Sequence, residues 1–339
     1  MGRRILILLA LMSSVPRAAL SPGAHQAVID SGIMLTLDQE YDKAIALFDR
    51  HAAANPKNPL FDFYLLLTYE GMMIDYETTA WEKTFDSLSR RSEAGFKALQ
   101  KQEPGNAWVP YFLGSLYVTR GAHELRFSHY LNFTRSILNG INLLKTSVKM
   151  DSTLYDAYLY LGLFQFARSK FLSWLPVFDD ERDSAVSMIE KAMNESSFSR
   201  QFACQVLTGL YGHTGEIDKA IILATDFKKK YPKNRAIYWI LGNACLSQKR
   251  YAEAEKEFLA LRPMVEAGVP IKYPYNYVSI DALLANIAFK SGRYEESLAL
   301  CRKIIAGKEA DPRLVEFRQM AEKLGAKCEK RIKTGKNAL

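Results

Sequence analysis

Large, aromatic, small and turn-forming residues follow one another in the same order in several parts of this chain. The order is clearest in residues 201–234, where the successive positions are Leu207, Tyr211, Gly215, Ala220 and Pro232. The next unit repeats it in the same frame, at Tyr238, Leu241, Gly242, Tyr251, Ala254 and Phe258. Two adjacent units in register, at a period of about 34 residues, predict a repeating pair of helices joined by a turn.

Further copies of the pattern lie at both ends of the chain, and stretched copies lie in the middle. The first copy reads Gly32, Tyr41, Ala44, Phe48 and Pro56, and the last reads Leu284, Gly292, Tyr294 and Ser297. Between residues 59 and 200, units anchored near Tyr69, Leu113 and Tyr158 each need about ten to fifteen extra residues between their two helices. We therefore expect longer helices in this central part.

The residue types explain why such units must stack. Small residues let two helix axes approach, large residues fill the gaps, and a proline after the second helix prevents its continuation. One helix pair cannot bury its own apolar face, so each pair covers its neighbour, and the first helices line a concave surface. The pattern predicts an all-α fold, a right-handed α-solenoid superhelix of antiparallel helix pairs, with about seven repeats over residues 22–311.

The last segment of the chain, residues 312–339, has the pattern of a terminal cap. After Pro312 its apolar residues are spaced by three and four, which places them on one helix face. They are Leu314, Phe317, Ala321, Leu324, Cys328 and Ile332. Lysines and arginines occupy the other face. A solenoid needs an end helix with one polar side, so we predict a basic C-terminal capping helix here.

The N-terminus carries the three parts of a secretory signal peptide. They are a basic start (1–4), an apolar run (5–12) and a stretch of small residues (13–21). The cleavage site stays open, because Ala19 and Ser21 have the small-x-small spacing but Pro22 would follow the cut, and a site nearer Gly23 is equally compatible. We expect residues 1–21 to be a signal peptide and the protein to be exported, to a periplasmic or outer-membrane-associated location.

Composition and charge exclude several classes of protein. The chain has 339 residues, of which 48% are hydrophobic and 24% charged. These values are close to the averages for globular chains, so bulk disorder is excluded. The only strongly apolar run, residues 5–12, is far shorter than the roughly 20 residues of a membrane-spanning helix. The excess of positive charge lies after Arg302 rather than along a continuous face, which argues against nucleic-acid binding.

In these motifs the chain resembles the tetratricopeptide-repeat family, strongly over residues 201–307 and 25–58 and more weakly over residues 59–200. The lengthened central units are similar to those of exported bacterial members. The resemblance implies a non-enzymatic scaffold that holds a protein or peptide partner in its concave groove. Carried over position by position, it implies a groove formed by Tyr64, Trp108, Tyr111, Tyr160, Gln205, Trp239, Asn243, Asn286 and Phe289.

This groove is aromatic, with amide side chains towards its C-terminal end. Asn243 and Asn286 share one repeat position, from which an asparagine can hydrogen-bond the backbone of an extended peptide. Aromatic rings make good interface anchors because they bury a large area. The same residues at helical spacing also serve as internal packing, and both interpretations stay open. The basic residues of the family's carboxylate clamp are missing at the matching positions apart from Lys290, which argues against recognition of an acidic C-terminus.

A second function is compatible with the sequence. Residues 171–178 contain six large apolar side chains, which could pack internally, cover the groove or dock a partner. Together with the basic C-terminal helix, this segment would suit a peripheral envelope protein that associates with a membrane surface.

Catalytic and metal-binding motifs are not found in the sequence. Of the five histidines, only His123 and His129 lie near each other, and on a helix they point in different directions. There is no Gly-x-Ser-x-Gly elbow and no Gly-rich loop ending in Lys-Ser or Lys-Thr. We therefore expect no enzyme activity, no metal site, no cofactor and no nucleic-acid partner. The four cysteines are interpreted as buried apolar residues, because their repeat positions are too far apart for disulfides.

Overall fold

The computed structural model describes residues 20–172, 179–308 and 311–336. A 3-10 turn at Pro22–His25 precedes the α-helices, and the described residues contain no β-strand. The helices are α1 (Gln26–Leu37), α2 (Tyr41–Ala54), α3 (Leu60–Asp75), α4 (Glu82–Gln102), α5 (Trp108–Arg126), α6 (Tyr130–Met150), α7 (Asp156–Leu172), α8 (Arg182–Glu195), α9 (Arg200–Thr214), α10 (Ile217–Lys230), α11 (Arg235–Ser247), α12 (Tyr251–Gly268), α13 (Tyr275–Lys290), α14 (Tyr294–Ala306) and α15 (Leu314–Lys336).

Each helix packs against its neighbours in the sequence, which makes the molecule a stack of helix pairs. The pairs are α1–α2, α3–α4, α5–α6, α7–α8, α9–α10, α11–α12 and α13–α14, and α15 packs on both α13 and α14. The prediction of an all-α helical-repeat solenoid is therefore confirmed. In the middle of the stack α4, α5 and α6 have 21, 19 and 21 residues, against 12 and 14 in α1 and α2.

Close helix contacts depend on small residues at the crossing points. The ring of Phe48 on α2 lies so close to Gly32 on α1 that an added Cβ would sit 1.9 Å from its Cζ atom. Gly114 on α5 and Gly140 on α6 face each other in the same way, since a Cβ on either would meet the other's carbonyl oxygen at 2.9 or 2.8 Å. A larger residue at these crossings would force the helices apart.

We expect Gly32→Ala to destabilise the first helix pair, because the new methyl group overlaps a buried ring. Overpacking lowers the free energy of unfolding by about 1–3 kcal/mol, which equals or exceeds the gain of about 1 kcal/mol in helix propensity. Gly105→Ala is the control, since nothing lies within 4 Å of its added Cβ. Chemical denaturation measures both variants, and a Gly32→Ala variant as stable as the control would contradict the close contact.

The apolar interior is richest in aromatic rings in the central pairs. Phe96 of α4 and Phe112 of α5 stack with their ring centroids 5.5 Å apart, and Phe63 of α3 meets both rings edge-on. The last pair and α15 share a further buried cluster, whose members are Val278, Ala285, Cys301, Ile304, Leu314 and Ala321. The C-terminal helix is thus packed on the core as a cap.

The stack winds so tightly that its beginning contacts its end. The turns within the first two pairs, around residues 37–40 and 75–81, meet the segments at the starts of α11, α13 and α15. We call this contact the seam. Its members are Leu37, Glu40, Asp75, Tyr76 and Glu77 on one side and Lys233, Asn234, Arg235, Tyr273, Asn276 and Arg313 on the other. The solenoid therefore closes on itself.

A buried ion pair lies at the centre of the seam. Arg235 Nε donates to Asp75 Oδ1 at 3.0 Å, Arg235 Nη2 donates to the other carboxylate oxygen, and the two side chains are only 6% and 9% exposed. Tyr41 also donates to Asp75, at 3.0 Å. Burial, aided by the Asp75 carboxylate, raises the pKa of Tyr41 well above its usual value. These polar groups satisfy one another away from water, as buried groups must.

The edges of the seam add apolar and charged contacts. Tyr76 stacks on Tyr273 with ring centroids 6.0 Å apart. Lys233 Nζ donates to Glu40 Oε1 at 3.0 Å in a more exposed ion pair. Exposed pairs contribute little, whereas removing one partner of the buried pair at the centre of the seam would leave an uncompensated charge.

Candidate partner-binding face

The nine residues predicted to line the groove fall into two groups. Tyr64, Trp108, Tyr111, Tyr160 and Gln205 lie on α3, α5, α7 and α9, whereas Trp239, Asn243, Asn286 and Phe289 lie on α11 and α13. In the first group Tyr64, Tyr111 and Gln205 are buried and Trp108 and Tyr160 are half-buried, whereas no member of the second group is buried.

The tyrosines of the first group form a buried cluster where the sequence predicts an open groove. Tyr64 and Tyr111 are buried, and the Tyr111 hydroxyl lies 3.1 Å from Ser199 Oγ at the start of α9. Trp108 meets Phe198 edge-on, with ring centroids 5.6 Å apart. The starts of α5 and α9 thus close over the start of α7. Tyr64 and Tyr111 serve as internal packing in this structure, and a partner could reach them only if the stack opened.

Burial changes the acidity of these phenols. It raises the pKa of Tyr64 and Tyr111 well above the usual value, and the nearby carboxylate of Asp156 adds to the effect. Burial likewise raises the pKa of Tyr160, which is only partly exposed, to about 12. The cluster is therefore neutral at every physiological pH.

Asp156, the first residue of α7, holds this tight winding in place. Its carboxylate accepts three backbone hydrogen bonds at the start of α9, from the N–H groups of Ser197 at 3.0 Å, Phe198 at 2.8 Å and Ser199 at 2.8 Å. These residues lie just before the first residue of α9, and backbone N–H groups outside a helix need another acceptor when they are withdrawn from water. Asp156 thereby fixes α9 to α7 and brings Ser199 within reach of Tyr111.

We expect the protein to lose stability at alkaline pH, with Tyr160 as one source. Its pKa is about 12 in the folded chain and about 10 in an unfolded one. The unfolded chain therefore loses the proton first, and the stability contributed by the neutral phenol, fully present below about pH 10, is lost as the pH rises towards 12. For a shift of this size the loss is on the order of a few kcal/mol.

Denaturation between about pH 10 and 12 checks this, because Tyr160→Phe removes the titrating group. The free energy of unfolding should fall less steeply with pH in Tyr160→Phe than in the wild type. Tyr130→Phe, at an exposed position on α6, is the control and should follow the wild type. Equal slopes for wild type and Tyr160→Phe would show that Tyr160 does not contribute.

Gln205 is buried and hydrogen-bonds a member of the seam. Its Nε2 donates to Asn234 Oδ1 at 2.9 Å, and the Asn234 oxygen also accepts from the N–H of Ile237 at 3.1 Å, as the N-cap of α11. Asn234 Nδ2 donates to the Leu37 carbonyl oxygen at 2.8 Å. Gln205 thus orients the residue that joins the two ends of the stack.

The second group remains accessible. Asn243 is exposed, and Trp239, Asn286 and Phe289 are half-buried. Trp239 rests edge-on against Phe258 of α12, with ring centroids 5.8 Å apart, and Asn243 Nδ2 donates to the Trp239 carbonyl oxygen at 2.9 Å. A ring held in this way by its own repeat presents apolar surface with few conformations to lose on binding. The structure leaves this part of the predicted groove open.

Phe202 on α9 is a further exposed aromatic residue on a first helix, which the sequence argument missed. Its side chain is 48% exposed. Val206 and Gly209 follow one and two turns later, both half-buried, and Ile240 of α11 lies 3.7 Å from the Cβ position of Gly209. The helical spacing of three and four was the available signal. We call Phe202, Trp239, Asn243, Asn286 and Phe289 the partner face.

Comparison with known proteins identifies the repeat. A family model of the tetratricopeptide repeat matches residues 213–267, the end of α9 together with α10, α11 and most of α12. The chain contains tetratricopeptide repeats. The match covers the units in which the sequence pattern is clearest. No curated protein matches the sequence.

Solved structures of tetratricopeptide-repeat proteins resemble the stack. The Cut9–Hcn1 hetero-tetramer of the APC/C aligns with a TM-score of 0.54 at 13% identity, over 91% of this chain and 57% of that chain. The C-terminal part of a repeat-containing protein from Cytophaga hutchinsonii gives 0.45 at 13%, over 85% and 98%. PilW, a type IV pilus biogenesis factor, gives 0.48 at 12%, over 72% and 96%. At these identities the likeness concerns the fold alone. Tetratricopeptide repeats generally mediate contacts between proteins.

One buried pair of titratable groups in this tetratricopeptide-repeat protein lies away from the partner face. His123 Nδ1 of α5 is 2.8 Å from Glu70 Oε2 of α3, and the imidazole stacks on Phe85 of α4 at 4.1 Å. The pair links three helices in the interior. Within residues 20–172, 179–308 and 311–336, no three His, Cys, Asp or Glu residues are grouped so that they could hold a metal ion. All four cysteines are free thiols.

Two elements are suggested for membrane contact, segment 171–178 and the basic cap helix α15. Residues 173–178 lie outside the described residues, and so do the side chains of residues 171 and 172, so the alternatives for segment 171–178 remain predictions. The cap helix α15 buries Leu314, Ala321 and Cys328 and exposes Lys323 and Lys327. No helix in the described part of the chain has the length and apolar character needed to cross a bilayer.

Proposed function

We propose that this protein is a non-enzymatic scaffold of the bacterial cell envelope that holds a protein or peptide on the partner face. One observation carries the proposal. Aromatic and amide side chains stay accessible on the first helices α9, α11 and α13, while the corresponding aromatic side chains Tyr64 and Tyr111 on α3 and α5 are buried. Aromatic residues that become desolvated at the centre of an interface supply much of its binding energy.

The face can accommodate an extended segment of a partner. Helices α9 and α11 pack directly on each other, and axes of packed helices lie about 8–10 Å apart. An extended chain rises about 3.3 Å per residue, so partner side chains about three residues apart would meet successive helices. Phe202 and Trp239 would supply apolar contact, and Asn243 and Asn286 would hydrogen-bond the partner's backbone.

We expect the double variant Trp239→Ala, Asn243→Ala to bind its partner at least about tenfold more weakly, because truncating a central aromatic costs about 2 kcal/mol or more. Partners are first recovered by cross-linked pull-down from an envelope fraction, and affinity is then measured with the purified partner by calorimetry. Ile222→Ala is the control, since Ile222 is an exposed residue of α10 outside the partner face. Equal affinities for wild type and double variant would exclude Trp239 and Asn243 from the binding site.

A photo-cross-linking experiment locates the partner directly. A benzophenone amino acid at position 202 or 239 should cross-link to the partner, whereas the same residue at position 222 should not. Cross-linking at 222 alone would place the partner on the outer helices and contradict the proposal.

Export is part of the same proposal and is supported by the basic start, apolar run and small residues of the first 21 positions. A fusion of alkaline phosphatase to the C-terminus tests it, because that enzyme needs its disulfides and is active only outside the cytoplasm. Activity that depends on residues 1–21 is expected. An inactive, full-length fusion would contradict export.

A further inference from the structure

Leu20 is docked against the connection between α4 and α5. Its backbone N–H donates to Glu103 Oε2 at 2.8 Å, and Asn106 Nδ2 donates to its carbonyl oxygen at 2.8 Å. Its side chain is 6% exposed and belongs to the main apolar cluster of the first pairs. The backbone and the side chain of this residue are therefore both bound by the folded domain.

No lysine, arginine or histidine among the described residues forms an ion pair with Glu103. Its Oε2 accepts from Leu20 N–H and from Asn106 Nδ2, the latter at 2.8 Å. The ion pairs formed among the described residues involve other carboxylates, such as Glu93 on α4. Glu103 is half-buried, and withdrawing a carboxylate from water without a positive partner is unfavourable. The nitrogen of Leu20 is the atom placed to supply that charge.

We propose that Glu103 and Asn106 form a receptor for the α-ammonium group of Leu20, created when the Ala19–Leu20 peptide bond is cleaved. In this hydrolysis water adds to the Ala19 carbonyl carbon and the C–N bond breaks. The Leu20 nitrogen takes up protons to become an ammonium, and Ala19 leaves as a carboxylate. The hydrogen bond to Glu103 then becomes charge-assisted, which makes it about twice as strong as one between neutral groups.

This inference rests on the export part of the proposed function, because removal of a signal peptide is what frees the amine. A cut after Ser21 or nearer Gly23 would remove Leu20, empty its buried site and leave Glu103 without its partner. Ala19 provides a small residue before the bond, whereas Arg17 departs from the small-x-small pattern. The assignment of the cleavage to the Ala19–Leu20 bond depends on the contacts of Leu20 and not on the sequence motif.

The first test is the N-terminus of the exported protein, expressed from the full chain in a bacterial host and purified from the periplasm. Intact mass and N-terminal sequencing should give Leu20 as the first residue. A cleaved protein that begins at any other residue, such as Pro22 or Ala24, overturns this inference and leaves export standing. A chain that stays in the cytoplasm with residues 1–19 attached overturns both.

The second test measures the ion pair in the processed protein. A carboxylate beside an amine keeps it protonated, so Glu103→Gln should speed acetylation of the Leu20 amine by acetic anhydride at least about tenfold. Glu103→Asp keeps the charge and should give a smaller increase. Glu195→Gln, at an exposed position on α8, should match the wild type. Circular dichroism establishes that each variant is folded. Equal acetylation rates for wild type, Glu103→Gln and Glu103→Asp would overturn the proposal that Glu103 binds the Leu20 ammonium group.

Discussion

Asp75→Ala is expected to lower the free energy of unfolding by about 3–5 kcal/mol, because it leaves Arg235 charged and buried without a partner. The carboxylate binds the guanidinium through both oxygens and also accepts from Tyr41. Arg235 and Tyr41 both lose their acceptor when it is removed. Since the pair joins the second helix pair to the sixth, the variant should also open the stack, which X-ray scattering would register as a larger radius of gyration.

Two controls separate this effect from the loss of any ion pair. Asp226→Ala removes the partner of Lys229 in an exposed pair and should cost less than about 1 kcal/mol. The double variant Asp75→Ala, Arg235→Met removes both buried charges and should recover part of the stability lost by Asp75→Ala. If Asp75→Ala cost no more than Asp226→Ala, with an unchanged radius of gyration, the seam would not be closed in solution.

Asp156→Ala is expected to have a similarly large effect, about 3 kcal/mol or more. It leaves the N–H groups of Ser197, Phe198 and Ser199 without their acceptor, and each unsatisfied buried group costs about 1–3 kcal/mol. Because Asp156 fixes α9 to α7, the variant should also expose Tyr111. Chemical denaturation measures the stability, and absorbance at alkaline pH measures the ionisation of buried tyrosines.

A second substitution at position 156 tests whether the hydrogen bonds of the carboxylate are the cause of this loss of stability. Asp156→Asn keeps a carbonyl acceptor but loses the charge and the second acceptor oxygen, so it should lie between alanine and wild type. Asp151→Ala is the matched control, since Asp151 also stands beside a helix end, but its carboxylate hydrogen-bonds the neighbouring Thr153 and not a distant segment of the described chain. If Asp151→Ala and Asp156→Ala lowered the free energy of unfolding by similar amounts, this would contradict the role of Asp156 in fixing α9 to α7.

The repeat pattern predicts the helix pairs well because the relevant interactions are local. Gly32 and Phe48, or Gly242 and Phe258, meet within one pair, and each determines how closely its own two helices approach. The cap follows from the same logic, since one apolar stripe must cover the open side of the last pair. Such contacts depend on residue types at short spacing, which a sequence displays directly.

The closure of the solenoid does not follow from that pattern. Asp75 and Arg235 are separated by 160 residues, and in the repeat both stand at helix ends where any polar residue would fit. Whether the two ends meet depends on small rotations added over several pairs. The sequence therefore predicts a concave surface but not how tightly it curls.

The same limit explains why the predicted groove divides into two parts. Tyr64 and Trp239 both stand at groove positions, yet Tyr64 is buried and Trp239 is accessible. Their local patterns do not separate them, because the difference arises from how neighbouring pairs pack across α7. Phe202, by contrast, could have been recognised, since it starts the stripe continued by Val206 and Gly209.

The closed solenoid is the central claim, and zero-length cross-linking tests it most directly. Carbodiimide joins a carboxylate to an amine only when the two are in contact, and Lys233 Nζ lies 3.0 Å from Glu40 Oε1 across the seam. We predict a Glu40–Lys233 isopeptide in the monomeric fraction, detected by mass spectrometry. The local pair Asp226–Lys229 should cross-link in any conformation and serves as the control. Recovery of the Asp226–Lys229 product without the Glu40–Lys233 product would contradict the closed stack.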